Sequence, residues 1–179
     1  NCGRGLLLDC LSRLHVPNMR HVLHALASSA VVGTFGTFGH HDLRYLVRAD
    51  GHVAPDVWRA LVLCAHTVRT AHITVDLGLL DERIVLADLV GHSRKSDLQL
   101  RSISAVGLRF CAELLRNNHC ATRLRILCCK ELGFPRVIQP VCTALSRMSS
   151  LIELDIRGVA TPEQAEAMKR GIANALLGT

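Results

Sequence analysis

Apolar residues in this chain alternate over short stretches that recur at near-constant spacing. In "LIELDI", residues 151–156, the apolar positions are Leu151, Leu154 and Ile156. Thirty residues earlier, "ATRLRI" repeats them as Ala121, Leu124 and Ile126. "SDLQL" supplies Leu98 and Leu100, "HITV" supplies Ile73 and Val75, and "DLRY" supplies Leu43 and Tyr45. Alternation over a few residues predicts a strand with one buried face. Five such segments recur every 25 to 30 residues.

Helical patterns lie between them, with start signals of their own. Thr161-Pro162-Glu163-Gln164 combines an N-cap, a first-turn proline and a capping-box Gln. Pro55 opens a helix that places Val57, Leu61 and Cys64 on one face. Ser104 opens another carrying Leu108, Cys111 and Leu115, which Asn117 or Asn118 can close. Asp81 is placed to cap "ERIVLADLVG", and Pro17 precedes a pattern of Met19, Val22, Leu23 and Leu26.

Strand type decides the architecture. Strands buried on both faces read as continuous apolar runs, but here Arg, Gln, Thr, Asp and Glu alternate with the apolar residues. One sheet face is therefore expected against helices and the other open to water, the arrangement of a solenoid.

"LIELDI" and "ATRLRILCC" resemble the L-x-x-L-x-L-x-x-N/C core of leucine-rich repeats. The long spacing with intervening helices is similar to the ribonuclease-inhibitor type. The resemblance implies an α/β leucine-rich-repeat solenoid, with a parallel sheet on the concave face and helices on the convex face. About five units would occupy residues 40–179, after a helical segment, degenerate repeat or cap over 1–39. It also accounts for the adjacent cysteines of "LRILCC". Counted from Ala121, Cys129 takes the ninth core position, which in this family meets backbone groups in the turn after the strand. In other segments the ninth position holds Val159, Gly78 or Ile103.

Composition sharpens this reading. Hydrophobic residues make up 49% of the 179 and aromatics 3%, so aliphatic side chains must build the core. The first residue is Asn1, which suggests a fragment or processed product. Asp9 interrupts the apolar "GLLLDCL", which does not read as a secretory signal. No apolar run is long enough to span a bilayer. Eight cysteines without a C-x-x-C pair suit a reducing cytoplasm, with the nucleus as the alternative compartment.

The chemistry-bearing motifs are weak. His119, Cys120, Cys128 and Cys129 could be read as a zinc site, but adjacent cysteines fit two tetrahedral corners poorly. "GTFGTFGHH", residues 33–41, is neither G-x-G-x-x-G nor a Walker loop. His21 with His24, and His40 with His41, lack an H-E-x-x-H context. There is no G-x-S-x-G, and Asp81-Glu82 reads as helix capping. No catalytic residue, cofactor or metal is assigned, and a non-enzymatic role is expected.

Formal net charge is +6, with basic residues scattered along the chain. The expected function, carried by the family resemblance, is recognition of another protein through the open sheet face. Residues flanking the buried pairs should point outward together. These are Asp42 and Arg44; His72, Thr74 and Asp76; Asp97, Gln99 and Arg101; Arg123 and Arg125; and Glu153, Asp155 and Arg157. They are expected to form one continuous mixed-charge band, with Arg101, Arg123 and Arg125 as anchors. Nucleic acid is the alternative partner, but five carboxylates on the same face and few aromatics count against a phosphate track. A thiol or hydrolytic enzyme is the remaining alternative.

Overall fold

A computed structural model describes residues 39–70, 72–78, 82–158 and 161–177. The expectations for the Pro17 helix, for His21 and His24, for the cap at Asp81 and for Val159 lie outside these residues. The architecture is α/β, with five α-helices and six strands among the described residues.

The strands are β1 (Gly39–Asp42), β2 (Ile73–Asp76), β3 (Ile84–Val85), β4 (Asp97–Arg101), β5 (Arg123–Leu127) and β6 (Glu153–Arg157). They form two three-stranded sheets, ordered β1-β2-β3 and β4-β5-β6. The second is wholly parallel, with Leu98, Leu124 and Leu154 in one row and Leu100, Ile126 and Ile156 in another. Leu98, Leu100, Leu124 and Ile126 are buried. Leu154 and Ile156 lie half-exposed on the edge strand.

A left-handed residue ends each of these three strands at the same position. Ser102 has φ 54°, Cys128 φ 57° and Gly158 φ 76°. The amides of Ser102 and Cys128 each donate to the last residue of the next strand, Leu127 and Arg157 respectively, at 2.9 Å. The chain then turns inward, burying Ile103 and Cys129. The two adjacent cysteines thus have different roles. Cys128 is the exposed left-handed residue, whereas Cys129 is a core residue whose thiol donates to Leu127 O at 3.4 Å.

Helices fill the intervals. The helices are α1 (Pro55–Thr67), α2 (Leu86–Leu89), α3 (Ala105–Leu115), α4 (Pro135–Leu145) and α5 (Pro162–Leu177). Proline opens α1 at a position where no intrahelical amide is lost. Eight residues of α3 are buried because it packs against both α1 and α4. α4 in turn packs against α5. Phe110 of α3 meets Trp58 of α1 edge-on, with ring centroids 5.7 Å apart.

The structure corrects three expectations. The segment "DLRY" is not a strand. Its predecessor Gly39–Asp42 pairs with β2, setting His40 opposite Thr74 across 34 residues, while Arg44–Leu46 forms a 3-10 turn. Leu43 is still buried, but from the turn. "ERIVLADLVG" is split into β3, antiparallel to β2, and the single-turn α2. Finally, the capping box at Thr161 is only half formed. Thr161 Oγ1 accepts the Gln164 amide at 3.2 Å, but Gln164 Oε1 is buried without a hydrogen-bond partner, its side chain lying over Gly133.

Candidate partner-binding face

On β4–β6 the residues between the buried rows fall into register. Asp97, Arg123 and Glu153 form one row, and Gln99, Arg125 and Asp155 the next. A third contains Arg101, Leu127 and Arg157. Parallel neighbours in such rows stand about 5 Å apart, close enough for opposite charges to pair.

Arg123 donates to Glu153 at 2.7 Å and lies 3.6 Å from Asp97. The Glu153 hydrogen bond pushes the Arg123 guanidinium above its ordinary pKa, so it stays charged. Arg125 passes over its row-mate Asp155 and donates twice to Asp97, at 2.8 and 3.3 Å. Asp155 instead accepts from Arg157 in its own strand at 2.9 Å. Gln99 and Arg101 are both exposed, and neither side chain has a hydrogen bond or ion pair among the described residues. The charge therefore grades along the strands. Their starts carry paired charges, and Arg101 at the end of β4 has no carboxylate partner among the described residues.

The other outward residues lie on β1 and β2. Asp42 holds Arg44 through Nε at 2.9 Å and Nη2 at 2.5 Å, and this hydrogen bonding lowers the Asp42 pKa. His40 Nδ1 and Thr74 Oγ1 are 3.0 Å apart. His72 precedes β2, and its backbone amide donates to Thr70 Oγ1 at 3.2 Å. Arg44 belongs to the 3-10 turn, so it reaches this face from beside the sheet.

Two parts of the predicted band are corrected here. Asp76 does not face water. Its side chain is 1% exposed, accepts the Gly78 amide at 2.8 Å and lies 3.7 Å from Arg44, and so closes a turn. Nor is there one continuous sheet, because β3 ends the first sheet and β4 begins the second. Asp42, Arg44, His72 and Thr74 form one patch; the residues of β4–β6 form another. The anchors also differ from one another, since Arg123 and Arg125 are held by carboxylates while Arg101 meets none among the described residues.

Sequence reasoning missed the polar groups that tie neighbouring units together. Asn118 is fully buried. Its Nδ2 donates to Asp88 O and Leu89 O at 3.0 Å, and its Oδ1 accepts the amides of Cys120 and Ala121 at 2.9 and 3.0 Å. Glu82, read as a cap of its own helix, instead accepts the amides of Leu77 at 2.9 Å and Ser104 at 2.6 Å. Glu131 accepts the next amide, Ala105, at 2.5 Å. An asparagine or glutamate beside a strand or helix end was the only sequence signal for these bonds.

Among the described residues no group of three or more His, Cys, Asp and Glu side chains could hold a metal ion. Burial pushes the thiols of Cys111, Cys129 and Cys142 up, toward the protonated form. No described helix is long and apolar enough to cross a membrane. In comparisons with known proteins, no family model, no curated protein and no solved structure matches the chain.

Proposed function

We propose that the chain is a leucine-rich-repeat-like solenoid of the ribonuclease-inhibitor type, and that the open face of β4–β6 recognises another protein. One observation carries the reading: β4, β5 and β6 superpose inward leucine and isoleucine rows, outward polar rows and left-handed end residues position by position. Repetition of that kind leaves one sheet face without a helix over it, and arrays use such faces to bind. Arg101 is the preferred anchor, because a guanidinium with no carboxylate partner among the described residues can pair with an incoming one at no cost to a described bond. Nucleic acid is disfavoured, because Asp97 and Glu153 already neutralise Arg123 and Arg125. A cytoplasmic location accompanies this proposal.

The test is to isolate a protein partner from cell extract and to measure its affinity for Arg101→Glu. Weakened binding with an unchanged fold supports the reading. A partner lost instead through changes on α4 or α5 would move the site to the helical side. Steep salt dependence with a nucleic acid as the isolated partner would favour the alternative.

A further inference from the structure

A cavity of about 310 Å³ lies at the C-terminal ends of β2 and β4, beside the starts of α3 and α4. Four arginines line it, Arg44, Arg48, Arg109 and Arg136, against the single carboxylate of Glu131. Apolar wall is supplied by Val47, Leu77, Val106 and Val137. We propose that this cavity binds a small organic oxyanion, a phosphate monoester or carboxylate carried on an apolar body.

The internal bonding of the charges supports that ligand class. Arg44 is held by Asp42 and by Asp76. Arg48 has one loose carboxylate partner among the described residues, Asp50 at 3.8 Å. Arg109 and Arg136 have no carboxylate partner among the described residues. Each instead lies over a ring, Arg109 at 5.6 Å from the centroid of Trp58 and Arg136 at 5.8 Å from that of Phe134. A guanidinium over a ring keeps its in-plane N–H groups free for an oxyanion.

The start of α3 offers an anion little, because three of the amides there are already used. Glu82 takes the Ser104 amide, Glu131 that of Ala105, and Ser104 Oγ that of Gly107. The arginines must therefore supply the positive charge. The volume and the apolar walls suit a compact ligand with a few charged contacts. This site stands apart from the proposed partner face and does not depend on it.

Phenyl phosphate is a suitable probe, with phenol as its uncharged control. Trp58 is the only tryptophan in the chain and lies under Arg109, so its fluorescence reports occupancy at this place. Calorimetric titration of the full chain with phenyl phosphate should be saturable and should change Trp58 emission. Arg136→Gln, at an exposed position, should weaken it about tenfold, the effect of losing one charge-assisted contact. Phenol should give no saturable signal. Absence of saturable binding, equal affinity in Arg136→Gln, or binding that leaves Trp58 emission unchanged would each overturn the proposal.

Discussion

The carboxylate of Glu82 lies 2.6 Å from the backbone nitrogen of Ser104, 22 residues further along the chain. It also accepts the Ser104 hydroxyl at 3.2 Å and the Leu77 amide at 2.9 Å, so one side chain joins the end of β2 to the start of α3. Gly78 and Gly107 leave the space it needs; a Cβ on either would come within 2.7 Å of its carboxylate atoms. Glu82→Ala leaves two backbone donors unpaired and should destabilise the fold by about 2–4 kcal/mol in urea unfolding. Gly107→Ala should also destabilise it, because the new methyl would press on both Glu82 and Ile103.

The same carboxylate gives a pH dependence. Burial raises the Glu82 pKa above its ordinary value, more than its hydrogen bonds lower it. The folded state then holds the proton more tightly than the unfolded one. This contribution to stability is complete below the unfolded pKa and is lost as pH rises through the folded pKa. Glu82→Gln removes the titrating group. Between wild type and variant, the stability difference should therefore shift in favour of Gln as pH rises from the ordinary carboxylate range upward. A pH-independent difference would contradict this.

Asn118 uses both ends of its amide while fully buried. Asn118→Ala should cost about 2–4 kcal/mol. Asn118→Asp should cost more, since it buries a negative charge facing the carbonyls of Asp88 and Leu89. Thermal unfolding of both variants checks the order.

Ile126 and Leu154 occupy comparable inward positions but differ in cover. Ile126 is 1% exposed between two strands, whereas Leu154 lies on the edge strand β6. Ile126→Ala should cost about 2–5 kcal/mol, and Leu154→Ala clearly less. Equal losses would show that something covers β6 in solution.

At the cysteine pair, Cys128 should react with a thiol reagent in the folded state and Cys129 only on unfolding. Cys128→Gly should be neutral or stabilising, because its φ of 57° is one that glycine adopts without strain. Gly158→Ala should destabilise by about 1 kcal/mol or more, since its φ is 76° and a Cβ would sit 3.0 Å from the Cys128 backbone.

The sequence carried the parts of the fold that depend on local pattern. Leu98, Leu124 and Leu154 alternate with charges, and Ser104 and Thr161 sit where caps belong, so strands β4–β6 and helices α3 and α5 were legible. The register near Leu43 was not, because "GHHD" has no apolar alternation and pairs through its backbone with β2. Nor was the burial of Asp76, which looks like any strand carboxylate until Gly78 and Arg44 are placed around it. Which arginines would pair with which carboxylates was equally hidden, because Arg125 chooses the diagonal Asp97 over its row-mate Asp155. Such pairings depend on side-chain reach across strands, which spacing along the chain does not record.

The account rests most heavily on the open face of β4–β6 as the recognition surface. The most direct measurement is the affinity of a purified protein partner for three forms of the chain: wild type, Arg101→Glu, and Arg170→Glu on α5 as the helical control. The account predicts a loss of at least about tenfold for Arg101→Glu, the range of an interface anchor, with Arg170→Glu binding as the wild type does. Unchanged binding by Arg101→Glu together with loss in Arg170→Glu would contradict it.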